Sequence, residues 1–214
     1  CDKCVEFCQF NALASVGKTP LLFPELCHGC GGCTLVCPQD AIREKDYRIG
    51  VVRTARAGNI TLKSGCLDVG VLLASTLVHA LKERMEDGIT TILDAPPGTA
   101  CQAVATLRGS DFVVLVTEPT PFGLHDLTLA IDTVRALDLR FGVVINRVGV
   151  GDDRVQRYCA NEDIPILLEI PDDRRVAEAY SRGELIVDAL PDYREHFAQL
   201  WHNIEHHAAL EVAA

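Results

Sequence analysis

The sequence predicts an α/β protein in which helices flank a Rossmann-like, mostly parallel sheet. A small cysteine-rich module precedes the sheet along the chain. Seven of the ten cysteines lie within the first 37 residues. From about residue 71, short apolar runs alternate with helical patterns. Such runs are typical of strands that a parallel sheet buries on both faces. We therefore predict a cysteine-rich module over residues 1–45 and the sheet with its helices over residues 46–214.

The cysteine module contains an internal repeat. Two cysteine triplets share one spacing at an offset of 29 residues, namely Cys1, Cys4 and Cys8, and Cys30, Cys33 and Cys37. In the pattern C-x2-C-x2-C-x3-C, three thiolates surround one iron–sulfur cluster and the fourth points to a second cluster. This is the bicluster ferredoxin spacing. It predicts a ferredoxin-like module with two 4Fe–4S clusters.

The spacing also assigns the ligands. One cluster has a full set of four thiolates, Cys8, Cys27, Cys30 and Cys33. The other set has only three, Cys1, Cys4 and Cys37. The counterpart of Cys27 would lie three residues before Cys1, so we expect that the chain is cut inside its first motif. A zinc-ribbon-like site is the alternative, and it is less consistent because zinc needs four thiolates rather than two interlocked sets.

The segment that follows the module predicts a hairpin and a helix. The runs YRIGVV and NITLK flank RAG, which favours a turn at Gly58. Leu73, Leu77 and Leu81 then recur at helical spacing and predict one apolar helix face.

Four apolar runs predict the strands of the parallel sheet. They are TTIL, FVVLVT, GVVI and IPILLEI. A small-residue helix follows the first run, and a polar helix follows the third. Another helix, after the second run, has an apolar face of Leu127, Ala130, Ile131 and Val134. A C-terminal helix with Phe197, Leu200, Trp201 and Ile204 on one face is expected to pack on the sheet.

Polar residues follow each predicted strand. The segments are DAPPGT from Asp94, EPTPFG from Glu118, NR at Asn146, and PDD from Pro171. Ligands of parallel sheets bind beyond the carboxyl ends of the strands. Each segment alone is ordinary loop composition, but four at one edge favour a binding site.

Three of these residues suit a nucleotide. Asp94 after an apolar run can hold Mg²⁺ against phosphates. Gly98 leaves a backbone N–H free to approach a terminal phosphate, and the two prolines between them stiffen the loop. The amide of Asn146 offers the donor and the acceptor that a purine edge requires.

The segments ILDAPPGTACQ, VTEPTPFGLHD, VVINR and EIPDD resemble the MinD/ParA branch of the P-loop ATPases. The closer resemblance is to members with an inserted two-cluster ferredoxin domain, often labelled CobQ/CobB-like, and it covers essentially the whole chain. It implies a P-loop NTPase-type fold that dimerises around ATP and Mg²⁺. By the same match, Asp94 and Gly98 are the catalytic switch II residues. The nucleotide-binding residues are Asn146, Arg147, Pro171 and Asp173.

Two features depart from the family pattern. Gln9 rather than Pro follows Cys8, and the family's phosphate loop, Lys-Gly-Gly-x-Gly-Lys-[Ser/Thr], does not occur in this sequence. We expect that the N-terminal Walker A portion is not in this chain and that the chain alone is inactive. Gly17-Lys18-Thr19 does not replace it, because Ala12 stands where a phosphate loop needs glycine.

Composition limits the partners. The net charge is −10 without a long basic stretch, which argues against nucleic acid. The longest apolar candidate, from Val69 to Leu81, is interrupted by polar residues, and the C-terminal helix is acidic, so no membrane partner is expected. We expect a cytoplasmic homodimer that binds ATP and a redox or metalloprotein client.

The sequence therefore predicts an iron–sulfur P-loop ATPase that couples ATP binding and hydrolysis to electron transfer or to metallocluster or cofactor maturation. The alternative is a ferredoxin-like electron carrier whose ATPase half is only a docking scaffold. Amidotransfer rests on the family label alone. A zinc motif at His202–His206 is disfavoured because few residues follow it. The isolated cysteines, Cys66, Cys101 and Cys159, are interpreted as small buried apolar residues.

Overall fold

A computed structural model describes residues 1–17 and 19–209. The chain divides into two compact units, Cys1–Ile92 and Leu93–Ala214. The predicted division at residue 45 follows the change in composition, whereas the compact division also places the following hairpin and helix in the first unit. Each unit is described by itself.

The first unit begins with the cysteine-rich segment. Its elements are α1 (Lys3–Phe7), β1 (Leu13–Val16), β2 (Thr19–Leu22), a 3-10 turn (Pro24–Leu26) and α2 (Gly32–Leu35). β1 and β2 form an antiparallel hairpin. Because Thr19 begins a strand rather than a helix, this segment lacks the geometry of a phosphate loop; Lys18 itself lies outside the described residues.

A second hairpin and a helix complete this unit. β3 (Gly50–Ala57) pairs with β4 (Ile60–Leu67), and α3 spans Ala74–Lys82. Gly58 takes a positive φ of 56° in the two-residue turn, so the predicted hairpin is confirmed. The predicted helix face is confirmed as well, since a Cβ on Gly65 would lie 2.8 Å from Cγ of Leu77 and 3.0 Å from Cδ1 of Leu81.

The prediction of a strand at TTIL is wrong. Residues 90–96 have no regular secondary structure, and Ile92 is 84% exposed. An extended segment becomes a strand only when a neighbouring strand accepts its backbone hydrogen bonds. Among the described residues, none pairs with this run. Its apolar composition therefore did not suffice to make it a strand.

The second unit contains the parallel sheet. Its strands are β5 (Val113–Thr117), β6 (Phe141–Val148) and β7 (Ile166–Pro171), in that order and all parallel. The helices are α4 (Cys101–Leu107), α5 (Pro121–Ala136), α6 (Arg154–Asn161), α7 (Arg174–Ser181), α8 (Ile186–Ala189) and α9 (Asp192–Ala209). Three of the four predicted strands and the α/β class are thus confirmed.

The core of this unit lies between the sheet and α5 and α6. It contains Ile131 and Val155 from the helices and Val143 and Ile145 from β6, each at most 1% exposed. The predicted apolar face of α5 is confirmed by the burial of Leu127, Ile131 and Val134. This rigid sheet positions the polar residues that follow its strands.

The C-terminal helix α9 packs on the sheet, as predicted. The Asn203 side chain donates a hydrogen bond to the carbonyl of Leu167 at 2.7 Å, and Tyr193 is buried. Trp201 was predicted on the packed face but is 41% exposed. The other three residues of that face, Phe197, Leu200 and Ile204, are half-buried.

The three isolated cysteines differ in burial. Cys159 is fully buried in the core of the second unit, as predicted. Cys66 and Cys101 are exposed, so that prediction is wrong for both. Cys66 lies on the two-stranded hairpin, and Cys101 is the first residue of α4. Neither element buries that side chain.

No helix among the described residues is both long enough and apolar enough to cross a membrane.

Candidate functional site

Four cysteines line one cavity in the first unit. They are Cys8, Cys27, Cys30 and Cys33, which is the complete ligand set that the spacing predicts. Cys8 follows α1, Cys27 follows the 3-10 turn, and Cys33 lies on α2. Segments that are separate along the chain therefore bring their thiols to the same concave surface.

Glycines allow the chain to turn around this cavity. Gly29 and Gly31 have φ values of +63° and +72°, which side chains other than glycine rarely adopt. Gly32 is required for a different reason, because a Cβ there would lie only 2.2 Å from Cε1 of Phe7. That close approach lets α1 and α2 pack together and brings Cys8 towards Cys33.

The thiol environment suits a positively charged cluster. Burial raises the pKa of Cys33, and the neighbouring charges of Cys27 and Cys30 act in the same direction. Thiolates ligate iron in 4Fe–4S clusters, and positive charge is what such a crowded set needs to stay ionised. Four soft donors on one cavity therefore fit a 4Fe–4S group. When bound, that group would supply one-electron redox chemistry.

The second predicted ligand set is distributed differently. Cys1 is exposed, Cys4 is buried and Cys37 is half-buried. The backbone N–H of Ala41 donates to Sγ of Cys37 at 3.4 Å, and backbone N–H groups, first that of Ala41, lower the pKa of the Cys37 thiol. Such a hydrogen bond stabilises a thiolate ligand. The second cluster stays a prediction.

A site for a single metal ion needs several ligands grouped around one point. Within residues 1–17 and 19–209, no three His, Cys, Asp or Glu side chains are grouped closely enough to hold one ion. A cubane cluster spreads its ligands over four irons, so its thiols lie farther apart than the ligands of a single ion.

A second group of polar residues lies at the carboxyl edge of the parallel sheet. Arg147 on β6 donates from Nε to Oδ1 of Asp172 at 3.0 Å, and its Nη1 lies 3.4 Å from both carboxylate oxygens of Glu118. Asp172 first, then Glu118, raises the pKa of Arg147. One guanidinium thus joins the ends of all three strands.

A backbone irregularity aims Arg147 at these carboxylates. Between Ile145 and Val148 the register of β6 against β7 shifts, and Arg147 takes a φ of +57°. The Asn146 side chain accepts a hydrogen bond from the backbone N–H of Arg147 at 3.0 Å. Bulges of this kind redirect side chains and recur beside binding sites. Asn146 and Arg147 are therefore held in a local turn at the strand end.

The loop after β5 is held tightly at the same edge. Thr120 caps α5 by accepting a hydrogen bond from the backbone N–H of Gly123 at 3.0 Å. The Thr117 hydroxyl donates to the carbonyl of Gly123 at 2.9 Å. A Cβ on Gly151 would lie 1.5 Å from the carbonyl oxygen of Pro119, so only glycine fits there. These contacts stabilise the loop that carries Glu118.

The segment after β7 carries the remaining predicted residues. β7 ends at Pro171, and Asp173 caps α7 by accepting from the backbone N–H of Arg175 at 2.9 Å. Asp173 also forms an ion pair with Arg175 at 2.6 Å and accepts from the Tyr193 hydroxyl at 3.4 Å. The Arg175 hydrogen bonds lower the pKa of Asp173. Asn146, Arg147, Pro171 and Asp173 thus lie at one edge, and their contact with nucleotide stays a prediction.

The predicted switch II residues are placed less regularly. Asp94 is exposed and lies in the segment without secondary structure, so it does not follow a strand as predicted. Gly98 has a φ of +83°, a conformation that favours glycine. The catalytic roles of both residues stay predictions.

Sequence reasoning missed four residues that the structure places at these two sites. Glu118 and Asp172 bind Arg147, although only their segments were singled out. Phe10 and His28 line the cysteine cavity and stack on one another. The position of Glu118 directly after an apolar run was a usable signal. Nothing in the sequence pairs Phe10 with His28.

A family model and two relatives match this chain. The family model "4Fe-4S binding domain" matches residues 20–43. The uncharacterized protein MJ0579 of Methanocaldococcus jannaschii is 31% identical over 198 residues, which cover 89% of this chain and 68% of that protein. MJ0578 of the same organism is 28% identical over 210 residues, which cover 96% of this chain and 71% of that protein.

One solved structure of MinD shares the fold of part of this chain. The cell division ATPase MinD of Pyrococcus furiosus is similar with a TM-score of 0.51 and 24% identity, over 66% of this chain and 63% of that one. MinD of Pyrococcus horikoshii, solved with Mg-ADP, has a TM-score of 0.49 and 21% identity, over 66% and 59%. The match spans less than two thirds of either MinD chain.

Proposed function

We propose that this chain couples ATP binding and hydrolysis to the redox chemistry of its metal clusters. The chain belongs to one family with MJ0579, and it is a MinD/ParA-like P-loop ATPase with a 4Fe–4S module. The observation that carries the proposal is the cavity that Cys8, Cys27, Cys30 and Cys33 share. The same chain also has a MinD-like fold. The output is electron transfer to a client or maturation of a metalloprotein.

The proposed nucleotide site uses the carboxyl edge of the parallel sheet. Asn146 reads the adenine edge, and Pro171 and Asp173 line the base pocket. Asp94 holds Mg²⁺ against the phosphates, and the N–H of Gly98 approaches the terminal phosphate. The Glu118–Arg147–Asp172 group supports this role, since it fixes the loops on either side of Asn146. The protein acts as a cytoplasmic homodimer.

The proposed clusters use the cysteine module. Cys8, Cys27, Cys30 and Cys33 hold the first 4Fe–4S group, and Cys1, Cys4 and Cys37 contribute to the second. The N–H of Ala41 helps to keep the Cys37 sulfur ionised.

One experiment tests the coupling. The protein is expressed anaerobically from its full reading frame, and the EPR spectrum and reduction rate of its clusters are recorded with ADP, ATP and no nucleotide. Coupling predicts that ATP changes the reduction rate or the line shape and that ADP does not reproduce the change. If ATP is hydrolysed while both cluster signals stay the same in all three states, the coupling proposal is wrong.

The second candidate function is an electron carrier whose ATPase half only docks a partner. It is favoured by one contrast: the segment around Asp94 has no regular structure, whereas the cysteine cavity is formed. In that case the clusters accept electrons from a reductant, and equilibrium dialysis detects no bound ATP. The coding DNA upstream of Cys1 separates the two, because a phosphate loop in frame favours the ATPase.

A further inference from the structure

Two aromatic rings stack at the wall of the cysteine cavity. The ring centroids of Phe10 and His28 lie 3.9 Å apart, and the ring planes are inclined by only 14°. Both rings line the cavity that the four cysteines share. Phe10 is also 41% exposed, so one side of this pair faces the cavity and another faces solvent.

The stack joins the two chain segments that supply the thiols. Phe10 lies two residues after Cys8, and His28 is the residue after Cys27. A turn fixes Phe10, since the backbone N–H of Asn11 donates to the carbonyl of Cys8 at 3.4 Å and Asn11 takes a φ of +53°. Asparagine tolerates this conformation better than most residues. The position of the phenyl ring is therefore set by the same turn that carries the first ligand.

The rest of the cavity surface is mostly apolar. Phe7, Ala12, Leu13 and Leu22 line it beside the cysteines, and Glu44 is the carboxylate among the lining residues. Apolar walls exclude water and hydrophilic reagents from a buried group. Replacing the phenyl ring with a methyl group would open this wall on the side where it meets solvent.

We propose that the Phe10–His28 stack is an aromatic wall that controls the access of water and hydrophilic chelators to the cluster bound by Cys8, Cys27, Cys30 and Cys33. Phe10 and His28 are thus positioning residues, which hold the two ligand segments together and cover the gap between them. This inference rests on the cluster assignment in the proposed function, but not on ATP hydrolysis.

Iron extraction tests the wall directly. The protein from the full reading frame is loaded with iron and sulfide anaerobically, and a hydrophilic iron chelator is added. The released iron and the visible absorbance of the clusters are followed in time. We expect Phe10→Ala and Phe10→Leu to release iron several-fold faster than the unchanged protein. Phe10→Tyr should restore the original rate, because tyrosine keeps a ring that can stack.

A second set of variants keeps the proposal falsifiable if Phe10→Ala does not fold. His28→Ala removes the partner ring and leaves Phe10 unchanged, whereas His28→Phe keeps a stacked pair. We expect fast release from the first and the original rate from the second. Circular dichroism checks that the secondary structure of each variant is unchanged. Phe23→Ala is the matched control, because Phe23 is an exposed phenylalanine of the same module that does not belong to the cavity lining.

The possible results have distinct meanings. Unchanged release from Phe10→Ala and His28→Ala, at the iron content of the unchanged protein, would overturn the proposal. Slow release from Phe10→Leu would also overturn it, since bulk alone would then suffice. If the unchanged protein binds no iron at all, the cluster assignment itself fails, and the wall fails with it.

Discussion

Arg147 and Asp172 link the ends of two neighbouring parallel strands, with Nε of the arginine 3.0 Å from Oδ1 of the aspartate. The same guanidinium also reaches Glu118, the residue that follows β5. Arg147 was assigned to nucleotide binding by family resemblance. That assignment stays a prediction. Through its contacts with Asp172 and Glu118, Arg147 also holds together the loops that follow the outer two strands.

The ion pairs of Arg147 with Glu118 and Asp172 predict that replacing this arginine weakens ATP binding more than it lowers stability. In Arg147→Gln, the loops after β5 and β7 lose their common partner, so the KM for ATP should rise several-fold while kcat changes less. The stability change should be small because both ion pairs are about half exposed and screened by solvent. ATPase kinetics and thermal unfolding of the full-reading-frame protein measure both quantities.

Arg182→Gln provides a matched control, because Arg182 forms an exposed ion pair with Glu184 of comparable accessibility. Its KM should equal that of the unchanged protein. If the two variants change KM equally, Arg147 has no special role at the sheet edge.

Cys30→Ser should remove one cluster. Serine does not supply the thiolate that iron–sulfur clusters require, so about half of the bound iron should be lost if two 4Fe–4S clusters are present. Iron analysis and the EPR spectrum of the reduced protein measure the loss. Cys66→Ser is the control, since Cys66 is exposed on β4 and lies in the other hairpin. A normal spectrum for Cys30→Ser would contradict the ligand assignment.

Asp94→Ala should abolish most ATP turnover. If Asp94 holds Mg²⁺ at the phosphates, turnover should fall by roughly two orders of magnitude, the usual scale for losing one group that stabilises charge in the transition state. The clusters should be unaffected, because their ligands lie in the other compact unit. Phosphate release and iron content measured on one sample separate the two effects. Undiminished turnover would mean that switch II has been assigned wrongly.

Cys159 and Cys101 should differ strongly in reactivity. Cys159 is 0% exposed and burial raises the pKa of its thiol, whereas Cys101 is exposed. A buried thiol reacts only when the structure opens, so Cys159 should be alkylated at least about a hundredfold more slowly than Cys101. Peptide mass spectrometry after brief iodoacetamide treatment measures each site, and the same treatment in urea should abolish the difference. Equal labelling of the native protein would contradict the core packing.

Acid should remove a stabilising contribution of Asp173. The Arg175 hydrogen bonds lower its pKa in the folded protein below the ordinary value of 3.8. A depressed carboxyl pKa stabilises the folded state above the ordinary pKa, and this contribution is lost as pH falls through the folded pKa. Asp173→Asn keeps a capping side chain and removes the charge. The unfolding midpoints of the two proteins should differ at pH 7 and converge as the pH falls below 3.8 and through the lowered folded pKa. A gap that stays constant over this range would contradict the linkage.

Local patterns predicted much of this protein. The hairpin at Gly58 and the apolar face of α5 depend on neighbouring residues, and turn preference and helical spacing reveal them directly. The grouping of Cys8, Cys27, Cys30 and Cys33 in one cavity was also predictable, because the bicluster ferredoxin spacing pairs the last cysteine of one motif with the other motif. The run at residues 90–93 shows the limit of such patterns. Apolar composition indicates that a segment can be buried, but strand formation needs a partner elsewhere in the fold.

Composition and spacing predicted the chemical class of each site: seven clustered thiols indicate iron–sulfur ligation, and polar residues after apolar runs indicate a nucleotide. Which side chains meet depends on the folded chain. It brought Arg147 to Asp172 and Glu118, residues 25 and 29 positions away along the chain, and it stacked Phe10 on His28. The physical reason is that spacing encodes contacts within a turn or a helix, whereas contacts between distant segments depend on strand register, bulges and packing that no local pattern specifies.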